Sequence, residues 1–218
     1  MSQKLSSTCY STSSVSKTNL LSSLSSPSRS TKKRSIEIQA PTVLTCLTPK
    51  TCQLITIEYS IHACSSRLSR ELEKVFPEVA ADLGRCLVVP TFQKCEHDLV
   101  GVGPLVDKER DAKLEAFIEW GTSICEKLRQ YGHWADITDP ASGFPVFSSP
   151  GPSMYPDVEG AQQLLKYDVQ NAGCCHILLH PQWGSKNYPA TLFTTADADT
   201  LKNVISDCFR TESSKESY

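Results

Sequence analysis

The sequence lacks any long hydrophobic run and any strong net charge. Its 218 residues contain 22 Lys and Arg against 24 Asp and Glu, a formal net charge of −2. No apolar stretch approaches the roughly 20 residues that cross a bilayer, and a nearly neutral chain has no general attraction to nucleic acid. We therefore expect neither membrane insertion nor nucleic-acid binding.

Cofactor motifs, metal-ligand spacings and a secretory leader are also missing. The chain contains no GxGxxG, no GxSxG and no P-loop sequence, which removes the usual support for dinucleotide, hydrolase and nucleotide sites. Its ten cysteines do not show zinc-site spacing. Without a secretory h-region, we expect reduced thiols rather than a disulfide framework. A flavin site stays open, because such sites often have no short motif.

The composition divides the chain into three parts. Residues 1–35 contain 14 Ser and six Lys or Arg but no acid, too little apolar surface to offset the entropy of ordering. We predict a disordered basic tail there, and a mitochondrial transit segment is the alternative. With an extended linker over 36–50, the leader and linker occupy 1–50, the domain occupies 51–210 and a polar tail occupies 211–218.

Hydrophobic patterns predict an α+β domain. Strands are expected where β-branched and aromatic residues cluster, at Leu54–Ile61, Cys86–Phe92, His133–Thr138, Phe144–Phe147, Cys174–His180 and Pro189–Thr195. Helices are expected where apolar residues recur every three to four positions, at Ser65–Phe76, Asp107–Gln130, Ala161–Tyr167 and Asp197–Phe209. Their irregular alternation favours a mixed or antiparallel sheet with packing helices over a doubly wound fold.

Three expectations concern how these elements pack. Pro90 cannot donate to a strand ladder, so its strand is expected at a sheet edge or a bulge. The helix Asp107–Gln130 should be the central packing helix, with Phe117 on its apolar face. The strands Cys174–His180 and Pro189–Thr195 are expected to pair with each other across a turn at Trp183-Gly184.

Few polar side chains suggest chemistry. Asp136 and Asp139 could be paired acids, but an Asp that accepts hydrogen bonds from its own turn is a better account of the Asp-Pro sequence. Two histidines at strand ends, His62 and His180, are interpreted as satisfied or solvated imidazoles. The three tryptophans are expected in the core.

The most distinctive local feature is the run Gly173-Cys174-Cys175-His176. Successive side chains of a strand face opposite sides, so Cys174 and His176 share one face and Cys175 takes the other. Cys175 is then a core thiol, while Cys174, directly after a glycine, could be exposed enough to act as a soft ligand or nucleophile. Two buried cysteines are the alternative that the local pattern leaves open.

Five stretches together point to a known family. They are Ile57–Cys64, Val75–Val79, Phe117–Cys125, Tyr131–Gly143 and Gly173–Cys175. The most specific are the Gly-x-Trp-Ala-Asp-x-x-Asp-Pro-x-Ser-Gly run and the Gly-Cys-Cys element, which Trp183-Gly184 follows. In this order and spacing, the chain from about Ile57 to Val204 resembles the CblD family of cobalamin trafficking proteins.

The resemblance implies a modified nitroreductase-like α+β fold that has lost flavin and catalytic function. A member of this family would not be an enzyme and would bind no cofactor by itself. It would form a heterodimer with the cobalamin-processing protein CblC, share cobalamin with it, and direct cobalamin to methionine synthase in the cytosol and methylmalonyl-CoA mutase in mitochondria. Cytoplasmic and mitochondrial locations are both implied.

The resemblance also implies a site. The family's cysteine that contacts the cobalt of partner-bound cobalamin maps onto Cys174, and a thiolate suits that role because it is a soft donor. The preceding segment, Glu159–Ala172, is then expected to be the partner-facing loop. A flavin-dependent oxidoreductase of the nitroreductase type is the alternative function.

Overall fold

A computed structural model describes residues 36–173 and 175–209 of the chain. The strands are β1 Ile36–Leu47, β2 Leu54–Ala63, β3 Leu87–Lys94, β4 Ala135–Ile137, β5 Asp168–Ala172, β6 Cys175–Leu179 and β7 Asn187–Thr194. The helices are α1 Ser66–Leu72, α2 Pro104–Gln130, α3 Asp157–Leu165 and α4 Ala198–Cys208, with short 3-10 turns at Pro77–Val79 and Leu83–Arg85. The tails predicted over 1–35 and 211–218, and Cys174, lie outside the described residues.

Five strands form one antiparallel sheet in the order β1-β2-β3-β7-β4. The strands β5 and β6 form a separate antiparallel pair. Helices pack on the larger sheet, so the predicted α+β class with an antiparallel sheet is confirmed. Among the described helices, none is long and apolar enough to cross a membrane.

The main core covers one face of the five-stranded sheet. Ile55, Ile57 and Ile61, at period two on β2, are each at most 5% exposed and point into it. They pack against α2, whose Phe117 and Trp120 are completely buried. The closing helix α4 adds three buried aliphatic residues, Leu201, Val204 and Ile205. The prediction that β2 and α2 build the core is therefore confirmed.

Two smaller apolar clusters lie apart from the main core. The first brings α1 and the chain after it together with β3 and β7, through Leu68, Leu72, Phe76, Val88 and Phe193. The second joins Phe92 of β3 to Ala161 of α3 and Leu178 of β6. Through this second cluster, the β5–β6 pair packs against the main sheet without sharing a strand ladder with it.

The helix ends differ from the prediction for local reasons. The helix α2 begins at Pro104 rather than Asp107, because proline has no N–H to leave unpaired in a first turn. The helix α1 ends at Leu72 rather than near Pro77. The carbonyls of Lys74 and Val75 accept hydrogen bonds from the loop at residues 151–153, so the chain leaves the helix to meet that loop. The α3 helix starts at Asp157, four residues before the predicted Ala161.

Pro90 lies in a central strand, so the prediction of an edge or a bulge is wrong. The strand β3 pairs with β7 in one continuous register, with Pro90 opposite Thr191. Its register with β2 is the same on both sides of Pro90, at Tyr59–Thr91 and at His62–Val88, with no inserted residue. The sheet accommodates the proline by omitting ladder pairs on the β2 side.

The predicted pairing of Cys174–His180 with Pro189–Thr195 is also wrong. The strand β6 pairs with β5, which the sequence analysis missed, and β7 pairs with β3 and β4. The linker predicted over 36–50 contains β1, which pairs with β2 from Ile36 to Leu47. The domain limits themselves stay a prediction.

The strand predicted at Phe144–Phe147 is reduced to a single bridge between Thr138 and Pro145. The backbone N–H groups of residues 146–148 donate to the Asp136 carboxylate. The Val146 N–H also donates to the Ile137 carbonyl, but the N–H groups of residues 147 and 148 are taken up by the carboxylate, and the segment stays a loop.

Candidate functional site

The Gly-Cys-Cys element lies where β5 turns into β6. Ala172 pairs with Cys175, so residues 173 and 174 alone connect the two strands. Gly173 has a φ of +63°, the left-handed backbone that such two-residue connections require and that glycine adopts without strain. Cys174 follows Gly173 but lies outside the described residues, and its predicted role stays a prediction.

The described side chains of β6 alternate in burial. Ile177 and Leu179 are half-buried, while Leu178 and the following His180 are buried. His176, two residues before Leu178, is exposed. The cluster around Phe92 explains this order, because it takes Leu178 from the strand. The core position of the Cys175 thiol stays a prediction.

The segment predicted as a partner-facing loop is regular structure. Residues 159–172 contain most of α3 and all of β5. Glu159 of α3 contacts the strand pair directly, since its Oε1 lies 2.8 Å from Nδ1 of His176. Both side chains are about half exposed, so this contact lies on the surface beside the β5–β6 connection.

A buried polar cluster lies at the other end of the strand pair. Its centre is Glu58 of β2, whose side chain is 5% exposed. Oε1 of Glu58 lies 2.9 Å from Nε2 of His180 and 3.4 Å from the hydroxyl of Tyr167. Tyr167 directly precedes β5 and His180 directly follows β6, so both ends of the strand pair meet at one carboxylate oxygen.

The orientation of the His180 ring is fixed on several sides. Its Nδ1 accepts the backbone N–H of Gln182 at 3.2 Å, so Nε2 carries the proton and donates to Glu58. The ring stacks on Trp183, with centroids 4.1 Å apart, and also contacts Phe92. The interpretation of His180 as a satisfied imidazole is confirmed. Glu58 was missed, and its sequence signal is that of a single acid inside a strand without other charged carboxylates or lysines.

Tyr167 keeps its proton at neutral pH. Burial, and then the charge of Glu58, raise the pKa of Tyr167 to about 12. Its hydroxyl therefore donates to the carboxylate. His62, on the same strand as Glu58, is also buried, and its Nε2 lies 2.9 Å from the Ser60 hydroxyl.

Asp136 and Asp139 do not form an acid pair. Asp139 accepts hydrogen bonds from the N–H of Ala141 and the hydroxyl of Ser142 within its own turn, which confirms the turn interpretation. Asp136 is fully buried and accepts four backbone N–H groups, from Ile137 and from residues 146, 147 and 148. Both carboxylates thus organise loops.

Asp157, at the start of α3, is a carboxylic acid with a strongly raised pKa. Burial raises its pKa from an ordinary 3.8 to about 7, and the nearby acids Asp139 and Glu159 act in the same direction. The Thr191 hydroxyl donates to Asp157 Oδ1 and opposes part of this shift. Asp157 and Glu159 share the helix that packs beside the β5–β6 pair, but Asp157 faces β7.

Most thiols of the described residues are poor metal ligands. Burial raises the pKa of Cys46 to about 11 and the pKa of Cys64 and Cys95 to about 12. It also raises the pKa of the three other enclosed thiols, Cys86, Cys125 and Cys208. Their raised pKa keeps these six as protonated thiols. Because the thiolate is the form that binds metal, they are poor ligands. Cys52 is the exposed one, in the connection between β1 and β2.

The described residues also offer no multidentate metal centre. Across 36–173 and 175–209, no three His, Cys, Asp or Glu side chains are grouped so that they could hold an ion. Of the predicted core tryptophans, Trp120 is completely buried, Trp134 packs on Phe76 and Trp183 on His180. The site is thus a strand pair with a short connection and a surface Glu–His contact at one end, and the buried polar cluster around Glu58 at the other.

Comparisons with known proteins cover this region. The family described as "Methylmalonic aciduria and homocystinuria type D protein" matches residues 1–205. The chain is 35% identical to "Cobalamin trafficking protein CblD" of Rattus norvegicus over 144 residues, and 33% and 32% identical to the proteins of that name from Mus musculus and Homo sapiens. Each alignment covers 66% of this chain and 48% of the relative. The chain thus spans about half the length of the curated relatives it matches.

Proposed function

The chain belongs to the methylmalonic aciduria and homocystinuria type D protein family, and on that premise we propose that it is a non-enzymatic adaptor in intracellular cobalamin trafficking. The observation that carries this proposal is the family match over residues 1–205. The relatives are named for the trafficking of cobalamin, which is a transport role and not the turnover of a substrate. The adaptor handles cobalamin as cargo and binds no cofactor of its own.

The adaptor forms a heterodimer with the cobalamin-processing protein CblC and directs cobalamin to methionine synthase and methylmalonyl-CoA mutase. These two destinations require cytoplasmic and mitochondrial pools of the chain. The Ser-rich, basic, acid-free composition of residues 1–35 is compatible with delivery to mitochondria. An antiparallel sheet with packing helices is compatible with a modified nitroreductase-like fold.

Within this function, we assign the cobalt contact to the Cys174 thiolate. Two features support the assignment. Gly173 and Cys174 make up the connection between two strands, and six of the described thiols are held in the protonated form by burial. A thiolate is a soft donor that suits cobalt. Formation of a cobalt–sulfur bond would release the thiol proton to solvent, together with the ligand that the sulfur replaces on cobalt.

The visible spectrum of cobalamin-loaded CblC tests this assignment, because a new sulfur ligand changes the absorbance of cobalt. Adding the wild-type chain should shift the spectrum, and adding the Cys174→Ser variant should not. The matched control is Cys52→Ser, which removes an exposed thiol from the β1–β2 connection and should keep the shift.

Three results would contradict the proposal. An unchanged shift with Cys174→Ser would remove Cys174 as the ligand. Loss of the shift only with Cys175→Ser would mean that the neighbouring sulfur binds cobalt. A yellow protein that consumes reduced nicotinamide would replace the adaptor with a flavin-dependent oxidoreductase.

A further inference from the structure

We propose that Glu58 fixes the orientation of the β5–β6 pair, so that Glu58, His180 and Tyr167 are positioning residues for the cobalt contact. The inference rests on the proposed function, since Cys174 follows Gly173 in the connection at the far end of this pair. Glu58 belongs to the five-stranded sheet, while His180 and Tyr167 flank the two strands. The cluster therefore joins the base of the pair to the rigid part of the domain.

The strand pair needs such an anchor because no ladder attaches it to the main sheet. The strands β5 and β6 pair only with each other. Their other contacts with the main sheet are the apolar ones around Phe92 and Leu178 and one hydrogen bond, from Asn187 Nδ2 of β7 to the Leu178 carbonyl of β6 at 2.9 Å. Apolar contacts are non-directional. Hydrogen bonds within a buried polar network set a direction as well as a distance. The Glu58 contacts thus supply the directional attachment at the ends of both strands, and the Asn187 hydrogen bond supplies a second one to β6 alone.

The geometry of the cluster allows one side chain, Glu58, to hold the chain both before β5 and after β6. Both donors converge on Oε1 of Glu58, at 2.9 Å from His180 Nε2 and 3.4 Å from the Tyr167 hydroxyl. The carboxylate lies on β2 opposite Phe92 of β3, so its backbone is held on both sides. A shift of the strand pair by about 1 Å away from Glu58 would lengthen the His180 contact beyond ordinary hydrogen-bond distances and would break the Tyr167 contact, which is already long.

A purely stabilising role makes a different prediction. Replacing both partners of a buried hydrogen bond with apolar residues of similar shape can be nearly neutral or stabilising, while removing one partner leaves the other unsatisfied and is destabilising. If Glu58 and His180 only contribute stability, the double variant Glu58→Leu/His180→Leu should behave like wild type in every assay. If they position the strand pair, the double variant regains stability but not the cobalt contact.

The experiment uses the full chain and four variants. Glu58→Leu removes the acceptor, Glu58→Leu/His180→Leu removes the acceptor together with the closer of its two donors, and Glu58→Gln keeps Oε1 as an acceptor. Glu115→Leu, an exposed acid on α2, is the matched control. Amide hydrogen exchange is measured for residues 168–179, with β3 and α2 as references. The rate of the cobalt spectral shift and the affinity are measured with cobalamin-loaded CblC.

Positioning predicts a separation of these readouts. In Glu58→Leu and in the double variant, exchange over 168–179 should rise about tenfold or more, while β3 and α2 stay protected. The spectral shift at saturating partner should slow by about tenfold or more, with the affinity changed less than about twofold. Glu58→Gln and Glu115→Leu should behave like wild type.

The proposal is overturned if exchange over 168–179 is unchanged in Glu58→Leu, or if it rises equally in β3 and α2. A double variant with wild-type exchange and wild-type spectral rate would also overturn it. If the wild-type chain itself gives no spectral shift, the cobalt assignment fails, and the exchange data alone decide whether Glu58 holds the strand pair.

Discussion

Asp136 should be among the most costly single positions for stability in the domain. Its buried carboxylate accepts four backbone N–H groups, three of them from residues 146–148. A buried N–H that loses its partner costs about 1 to 3 kcal/mol. The Val146 N–H keeps its bond to the Ile137 carbonyl, water can reach part of this half-buried loop, and removing a buried charge recovers its desolvation cost. We therefore expect Asp136→Ala to lower the free energy of unfolding by about 3 to 5 kcal/mol rather than by the full sum.

Asp136→Asn sharpens the test. The amide keeps Oδ1, which accepts from Ile137, Val146 and Phe147, but it places an NH2 group against the Ser148 N–H. The loss should be about 1 to 3 kcal/mol, with faster amide exchange concentrated at Ser148. Urea unfolding measures both variants, followed by tryptophan fluorescence, because Trp134 Nε1 donates to the Ser148 hydroxyl.

Asp139→Asn is the matched control, since its carboxylate serves an exposed turn. It should cost less than about 1 kcal/mol. The reasoning is refuted if Asp136→Ala costs less than about 0.5 kcal/mol or no more than Asp139→Asn.

Three further predictions follow from the core, the titration and the edge strand. Phe117→Ala should lower the free energy of unfolding by about 3 to 5 kcal/mol in urea, and a cost under about 0.5 kcal/mol would show that this helix face does not pack on the core. Because the pKa of Asp157 is raised from 3.8 to about 7, the folded state holds a proton between these values that the unfolded state has lost, and stability should fall as pH rises from about 4 to about 7. Asp157→Asn should reduce that slope and raise the thermal midpoint at pH 8, whereas parallel pH profiles in the two proteins would contradict the assignment. Deleting residues 1–35 should leave the thermal midpoint nearly unchanged, while deleting 1–47 should lower it by removing β1, and an equal loss in both would show that the first 35 residues contribute to stability.

Elements with a regularly spaced apolar face toward the core were the ones that the sequence predicted. The strand β2 carries Ile55, Ile57, Tyr59 and Ile61 at every second position, and α2 carries an apolar stripe at helical spacing. Each pattern arises because the apolar residues lie on the face that packs on the core. The strand β1 leaves no such record, because most of its residues are exposed on both faces. It forms a strand because it pairs with the edge of β2, and a pattern of buried residues in the sequence does not reveal such pairing.

Contacts between distant residues explain the other failures. Asp139 bonds within its own turn, so its role could be predicted from local sequence. Glu58 could not be assigned a partner, because Tyr167 and His180 are 109 and 122 residues away. The strand β5, Asp-Val-Gln-Asn-Ala, has little β-branched or aromatic character, and its pairing with β6 depends on the Gly173 turn. The same missing strand led to the wrong partner for β6.

The position of β7 in the sheet has a consequence for synthesis of the chain. The strand β7 lies between β3 and β4, and residue 87 pairs with residue 194. While the chain emerges from the ribosome, β3 has β2 on one side and an open edge on the other until almost the whole domain has been made. An open edge of this kind is a site for pairing with other chains. A chain that terminates before Asn187 would lack a central strand, so premature termination late in translation should release an aggregation-prone product and not a shortened domain.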